Sequence, residues 1–195
     1  MSTFATLHLD DDETKPQTHF GLHDTVGFGG RLAARAIDMV VMFGGAVMAS
    51  AAAEVVRILL GLGAPGASSP WGLVTSTIIA ALYHAVSEWA GGASFGKLLL
   101  GYRVCRTNGA DCTFRAAMIR NALFSLDSLA FGFPAYVAMR KSVWNQRVGD
   151  RAADTVVVRK SALEARGIGT HGALVGATLG LVVFGALTFL SALAA

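Results

Sequence analysis

The sequence predicts an all-α membrane protein that carries a small β-sheet outside the bilayer. Three observations support this class: 53% of the residues are apolar, only 15% are charged, and the mean hydropathy is strongly positive. A soluble domain of 195 residues needs a charged surface around its core, whereas here the charged residues lie in segments that separate long apolar runs. We therefore expect a single membrane domain over residues 28–195.

Residues 1–27 are predicted to form a polar cytosolic tail without fixed structure. The stretch MSTFATLHLDDDETKPQTHFGLHD lacks the basic start, the short apolar run and the cleavage site of a signal peptide. The net charge of +3 is modest, but the basic residues gather in two segments, 97–120 and 140–166. Because basic loops stay on the cytoplasmic side of a membrane, orientation explains both segments without a nucleic-acid partner.

Two apolar runs predict a pair of membrane-spanning helices. The first covers 36–63 and is long enough to cross about 30 Å of hydrocarbon at about 1.5 Å per residue. An uncharged turn rich in proline, glycine and serine follows at 64–70 and is expected outside the cell. The second span, 71–89, begins and ends with a tryptophan, as is typical of helix ends at the membrane interface.

The dipeptide Asn108 and Gly109 predicts the two-residue turn of a β-hairpin. That turn sets three cross-strand pairs: Thr107 with Ala110, Arg106 with Asp111, and Cys105 with Cys112. The β-branched run at 155–159 is expected to add a third strand, because a lone hairpin is marginally stable. Both cysteines are expected to remain reduced, since no secretory signal accompanies them and an opposed hydrogen-bonded pair suits a disulfide poorly.

The segment 114–139 is apolar but has basic residues on both flanks. It is therefore either a fourth span or an interfacial helix followed by a re-entrant dip, broken at Gly132 and Pro134. The dip agrees better with the charge rule, because it keeps both basic flanks on one side. The last run, 172–195, is long enough to span and would carry the C-terminus outside.

Three stretches, in this order, carry a family resemblance: GGRLAARAIDMVV, then YHAVSEWAGGASFGKLLLGYRVCRTNGADCTFRAAMIRNALFSLD, and finally WNQRVGDRAADTVVV. Together they resemble the RDD family of bacterial inner-membrane proteins, which is named for one arginine and two aspartates. The resemblance covers 27–160 and leaves the final span outside as an addition. It implies a multi-pass inner-membrane protein, for which transport, including cation and proton exchange, is among the suggested activities.

The resemblance also assigns residues to family positions. On the first stretch, Arg35 and Asp38 match the family's arginine and first aspartate. The second stretch supplies a further set of matches, which comprises Glu88, Lys97, Gly101 and Arg120. On the third stretch Asp150 is the counterpart of the second aspartate, and Asp127 competes for that assignment because it lies within an apolar run.

Elementary chemistry places several of these residues in one polar cluster. A carboxylate within a span costs a few kcal/mol unless it is compensated, and Arg35 lies one turn from Asp38. His84 and Glu88 share a face of the second span at the same depth. Close packing of the two spans, on a set of small residues that comprises Gly44, Gly45, Ala80 and Ala81, would join all four.

The cluster has a structural and a functional interpretation. It is either a set of buried ion pairs or a proton relay or cation site on an ion path. A bound metal is disfavoured, because Arg35 competes for the carboxylates. Asp127 could join the cluster from the dipping segment, and Arg120 could bind Glu88 or a lipid phosphate. Lys97 is expected to contact lipid headgroups or another anion.

The polar residues elsewhere predict little chemistry. Glu54 and Arg57, one turn apart near the outer end of the first span, are expected to form an ion pair. The sequence contains no Ser-His-Asp order, zinc-ligand spacing or dinucleotide loop, so neither catalysis nor a cofactor is predicted. Two functions remain open: transport of small ions or solutes, or a membrane scaffold that assembles with itself or another protein. Membrane lipids are the expected partners in either case.

Overall fold

The computed structural model describes residues 20–63, 71–124, 129–170 and 172–194. Within those ranges the structure is mainly helical, with a small antiparallel sheet. The helices are α1 (Phe28–Leu59), α2 (Trp71–Gly91), α3 (Phe95–Leu99), α4 (Phe114–Ala122), α5 (Leu129–Arg140), α6 (Val148–Ala152), α7 (Lys160–Glu164) and α8 (Ala173–Leu193). The strands are β1 (Tyr102–Arg106) and β2 (Thr155–Arg159).

Helices α1 and α8 are long and apolar enough to cross a membrane. Their most apolar windows are only 6% and 22% buried inside the protein, so most of their side chains face outward. Large apolar side chains such as Phe43 and Met48 are 73% and 72% exposed. Such continuous apolar surface is typical of a membrane helix rather than of a soluble core. Helix α1 begins eight residues before the predicted start of the first span.

Helix α8 packs against both α1 and α2, so packing on α8 takes the place of the direct contact between the two spans considered in the sequence analysis. Glycines allow the closest approach: a Cβ at Gly176 of α8 would stand 2.4 Å from the backbone nitrogen of Gly91 in α2. Of the small residues expected to join α1 to α2, Gly45 instead faces Phe184 of α8. The position of α8 between its neighbours follows from these glycines.

Arg57 of α1 forms a hydrogen bond with the C-terminal end of α8. One of its nitrogens donates to the carbonyl oxygen of Leu193 at 2.9 Å, and another donates to that of Gly63 at 2.6 Å. The predicted ion pair with Glu54 is therefore wrong, since a buried guanidinium satisfies the unpaired carbonyls of helix ends instead. Helices α1 and α8 consequently run in the same direction and α2 runs against them.

The sheet pairs β1 with β2, as Val104 with Val157, which confirms that the valine-rich run joins the hairpin segment. The predicted three-stranded sheet is wrong, however. Beyond β1 the chain forms only an isolated bridge between Cys105 and Asp111. The predicted register is also displaced by one residue.

The displaced register has a local cause. The Arg106 N–H donates to the carbonyl of Ala110 at 2.8 Å, so three residues form the turn instead of two. Gly109, at φ 84°, takes the left-handed conformation that ends such a three-residue loop. Arg106 then turns away from its predicted partner Asp111 and pairs with Asp154 at 2.8 Å.

Both cysteines are buried free thiols. Cys105 packs with Phe20 and Val156, whereas Cys112 packs with Val104 in a separate apolar cluster. Burial raises the pKa of each thiol to about 12, so neither is a thiolate at neutral pH. The cross-strand opposition of the two cysteines in the predicted hairpin is not formed.

Residues 20–27, which the sequence assigns to the tail, are folded onto the sheet. Phe20 and Val26 are buried, and the Val26 N–H donates to the carbonyl of Val157 at 2.9 Å. Thr25 forms a bridge with Val158. The folded part of the protein therefore includes these residues, and 1–19 lie outside the described residues.

Both flanks of the segment 114–139 lie at one end of the helix bundle. Phe114 stacks edge-on against Trp89 at the end of α2, with ring centroids 5.5 Å apart. Tyr136 contacts Phe28 at the start of α1 in the same way, at 5.6 Å. Gly132 has a φ of 86°, but α5 continues over Leu129–Arg140 with Pro134 inside it, so the predicted break does not divide the helix. We call this end, where α1 begins, α2 ends and α8 begins, the charged end.

Candidate functional site

A cavity of about 550 Å³ lies at the charged end, between α1, α2 and α5. Its apolar lining residues are Phe28, Leu32, Met39, Met42, Ala80, Phe124, Ala135 and Met139. Its polar lining residues are Arg31, Arg35, His84, Glu88, Lys97, Arg120, Asn121 and Arg147. We call this space the charged cavity, because most of its polar lining residues are basic.

Asp38, in α1, is fully buried, and uncharged groups donate hydrogen bonds to its carboxylate. The Tyr83 hydroxyl donates to Oδ1 at 2.8 Å, the Ser94 hydroxyl to Oδ2 at 2.6 Å, and the Gly96 N–H to Oδ1 at 2.7 Å. Among the described residues Arg35 makes neither a hydrogen bond nor an ion pair with Asp38, so that predicted pair is wrong. Hydroxyl and amide donors satisfy the carboxylate without burying a second charge.

Helix α3 approaches α1 closely enough to bring the Ser94 hydroxyl and the Gly96 N–H to Asp38 because residue 96 is a glycine. A Cβ at that position would stand 2.0 Å from the carbonyl oxygen of Ala34, which is shorter than any real contact. Only a residue without a side chain fits there. The GK pair of the sequence thus has a structural role at its glycine, while Lys97 enters the cavity wall.

Glu88, near the end of α2, is also buried and binds Arg120, for which it is one of the two expected partners. Lys97, expected at lipid headgroups, binds Glu88 as well. Lys97 Nζ donates to Oε1 at 2.9 Å and Asn121 Nδ2 donates to Oε2 at 2.7 Å. The Nε of Arg120 lies 3.4 Å from Oε2. Burial lowers the pKa of Lys97 below its usual value, and the neighbouring Glu88 opposes that shift.

Asp150, at the start of α6, is fully buried among arginines. Arg31 Nη1 donates to Oδ2, Arg120 Nη2 lies 3.0 Å from Oδ1, and Arg147 Nη2 lies 3.7 Å from Oδ1. The Arg147 N–H also donates to Oδ2 at 3.2 Å. Burial by itself would raise the pKa of Asp150, but the three guanidinium groups hold it well below its usual value.

Arg120 joins the two carboxylates into one network. It is 0% exposed and lies within ion-pair distance of both Glu88 and Asp150. Burial alone would lower the pKa of its guanidinium, but the two carboxylates raise it above the usual value. Removing the charge of Glu88 or of Asp150 would therefore take a counter-charge from Arg120 and from one further basic side chain, Lys97 or Arg31.

Arg35 and His84 differ from the other polar residues of the cavity wall. The Arg35 guanidinium lies over the ring of Phe124, 4.1 Å from its centroid, and has no carboxylate at ion-pair distance within the described ranges. His84 is 1% exposed, and neither ring nitrogen has a hydrogen-bond partner in the part of the chain described here. Its Nδ1 lies 3.9 Å from the nearest oxygen of Asp38.

The structure brings most of the predicted site residues together. Arg35, His84, Glu88, Lys97 and Arg120 line the cavity, Asp38 and Asp150 are buried behind its wall, and Asp127 lies outside the described residues. The sequence interpretation missed Arg31 and Arg147, although Arg31 stands four residues before Arg35 on the same helix face. Arg31 is the arginine of this stretch that binds an aspartate, so the ion pairs do not support Arg35 as the family's arginine.

These features define a helical membrane protein with a charged cavity at one end of its bundle. The chain belongs to the RDD family, whose family model matches residues 25–193. The match extends through α8, so the expectation that the final span is an addition outside the family region is wrong. No curated protein and no solved structure matches the chain.

Proposed function

We propose that the protein is a multi-pass protein of the inner membrane that crosses the bilayer through α1, α2 and α8. Helix α2 has 21 residues, which is long enough to cross the bilayer. It runs antiparallel to α1 and α8, which supports a return crossing. The basic segments 97–120 and 140–166 both belong to the charged end, which supports a cytoplasmic location for that end. The N-terminus is then cytoplasmic, the C-terminus is outside, and 114–139 re-enters without crossing.

We further propose that the protein binds a small anionic solute in the charged cavity and moves it across the membrane. The observation that carries this proposal is the charge of the wall. Five cationic side chains surround the cavity: Arg31, Arg35, Lys97, Arg120 and Arg147. Among the described residues they face three carboxylates, which leaves an excess of two positive charges in a half-enclosed, partly apolar space. Such a space attracts an anion.

The geometry gives less support to cation or proton exchange. Asp38 already accepts three hydrogen bonds, and Glu88 accepts one at each oxygen. A cation at either carboxylate would have to displace these donors and would also approach the surrounding guanidinium groups. The carboxylates therefore serve best as counter-charges that allow the basic residues to be buried.

Flux into liposomes that contain the purified protein tests the proposal. We expect uptake of at least one anion from a panel of inorganic phosphate, glycerol 3-phosphate and a short-chain phosphatidate, above the level in protein-free liposomes. Arg35→Gln should reduce this uptake towards background, because Arg35 is the cavity cation without a carboxylate partner among the described residues. The exposed arginine of α4 provides a matched control, and Arg115→Gln should transport normally. Sodium or proton flux without anion flux would contradict the proposal.

A membrane scaffold is the second candidate. The first argument for it is the outward-facing apolar surface of α1, whose most apolar window is only 6% buried. The second is the position of the charged cavity at one end of the bundle. That surface could bind a second copy of the chain or another membrane protein. Mass measurement of the protein in lipid nanodiscs separates the two functions: a stable oligomer without flux of any ion would favour the scaffold.

A further inference from the structure

We infer that the charged cavity binds the phosphate monoester of an amphiphile, whose hydrocarbon chain leaves the cavity past Leu32 and Met39 of α1. The inference rests on the proposed function, in which an anionic solute enters this cavity. It adds two features of that solute: a doubly charged headgroup and an attached apolar chain. Three independent observations support these features.

The first observation is the size of the charge excess. Within the described residues the cavity has two more positive than negative charges, and a phosphate monoester carries a charge of about −1.5 to −2 at neutral pH. Arg35 is available to such a headgroup, because its contact with Phe124 leaves its N–H groups uncommitted to a carboxylate of the described ranges.

The second observation is the unsatisfied imidazole of His84. This side chain is 1% exposed and lines the cavity, yet neither nitrogen makes a hydrogen bond within the described residues. A neutral imidazole carries one N–H donor, and leaving it unpaired in a buried position costs free energy. A phosphate oxygen in the cavity would accept that hydrogen bond, which no group of the described residues accepts.

The third observation is the rim of the cavity. Leu32 and Met39 line the cavity and are nevertheless 58% and 63% exposed, on a helix that is long and apolar enough to cross a membrane. The cavity therefore opens through an apolar edge on the membrane-facing side of α1. A soluble anion would gain nothing from that edge, whereas an acyl chain attached to the headgroup would extend along it into the bilayer.

Ligand binding to the full-length protein in phosphatidylcholine nanodiscs tests the inference. Four probes separate headgroup from chain: oleoyl lysophosphatidate, glycerol 3-phosphate, inorganic phosphate and oleoyl lysophosphatidylcholine. We expect lysophosphatidate to bind at least about tenfold more tightly than each of the others, because it alone combines the monoester with the chain. Calorimetric titration or native mass spectrometry measures the difference.

Variants assign the binding to the cavity. Arg35→Gln should weaken lysophosphatidate binding by about tenfold, as expected for one charge-assisted hydrogen bond, and Arg35→Lys should weaken it less. The exposed control Arg115→Gln should bind as the wild type does. Leu32→Gln should weaken binding of lysophosphatidate while leaving that of glycerol 3-phosphate unchanged. Thermal unfolding of each variant shows that any loss of binding is not a loss of folding.

The outcomes distinguish this inference from the function on which it rests. If glycerol 3-phosphate binds as tightly as lysophosphatidate and depends on Arg35, the amphiphile is excluded and the anion site remains. If lysophosphatidylcholine binds as tightly as lysophosphatidate, the chain alone drives binding and the phosphate assignment fails. If no phosphate binds in any form, both the inference and the proposed anion site are overturned.

Discussion

Two buried aspartates, Asp38 and Asp150, are compensated in opposite ways. Both are 0% exposed. Asp38 is held by two hydroxyl groups and a backbone amide, whereas Asp150 is held by three arginine side chains. The first connects α1 to α2 and α3 within the bundle, and the second connects α1 to α4 and α6 at the charged end.

The difference follows from where each carboxylate lies. Asp38 lies about one turn further into α1 than Arg35 does. At that depth a second buried charge would cost more free energy than neutral hydrogen-bond donors do. Asp150 lies outside the long helices, among arginines that need a counter-charge themselves. One aspartate is therefore a hydrogen-bond acceptor that fixes helix positions, and the other is a counter-ion on which several cations depend.

Asp150→Asn should give the largest loss of stability, because it leaves Arg31 and Arg120 buried without their shared counter-charge. Breaking one partner of a buried ion pair costs about 3–5 kcal/mol. Chemical unfolding in detergent micelles should show a decrease of that order. A decrease below about 1 kcal/mol would mean that water or another group replaces the carboxylate, and the counter-ion interpretation would fail.

Asp38→Asn should cost less, about 1–3 kcal/mol, because the amide keeps one acceptor oxygen but presents an NH₂ group to donors that need an acceptor. The same variant also separates two mechanisms. If the carboxylate coupled transport to a cation or proton, flux would vanish while folding remained normal. We expect instead that anion flux persists in those molecules that fold, which the liposome assay measures directly.

The sequence was sufficient to predict the class of fold and the identity of the buried carboxylates Asp38, Glu88 and Asp150. Hydropathy located the first and last spans, since length and apolar composition are local properties of the chain. The position of α8 between α1 and α2 was not predictable in this way, because it depends on which surfaces fit, as at Gly91 and Gly176. The predicted hairpin register was wrong because the turn has three residues instead of two and ends at Gly109.

Partners of the site residues were harder to predict than the residues themselves. The spacing of three between Arg35 and Asp38 indicated a contact along one helix, but tertiary structure brought Tyr83 and Ser94 to the aspartate instead. Arg31 was overlooked because its partner Asp150 lies 119 residues further along the chain. Sequence spacing reports neighbours within one element, whereas this site is assembled from α1, α2, α3, α4 and α6.

The free energy of unfolding of the wild type should depend on pH through Asp150, and that dependence should be missing from Asp150→Asn. Because the pKa of Asp150 is lower in the folded than in the unfolded protein, its contribution is fully present above the unfolded value, near pH 4, and decreases as the pH falls. The stability difference between wild type and Asp150→Asn should be constant from pH 7 to pH 5 and smaller by about 1 kcal/mol near pH 3. A difference that changed between pH 7 and pH 5 would contradict the lowered pKa.

Asp154 provides the matched exposed case, with the smallest expected effect. Its side chain is 55% exposed, and it accepts hydrogen bonds from Arg106 at 2.8 Å and from Thr107 at 2.5 Å. Exposed ion pairs contribute about 0.2–1 kcal/mol, because water solvates both partners when the pair is lost. Asparagine also tolerates the positive φ of 51° at this position, so Asp154→Asn should add no backbone strain. Unfolding measurements should therefore place it well below the Asp150 variant; equal losses would show that burial does not determine the cost.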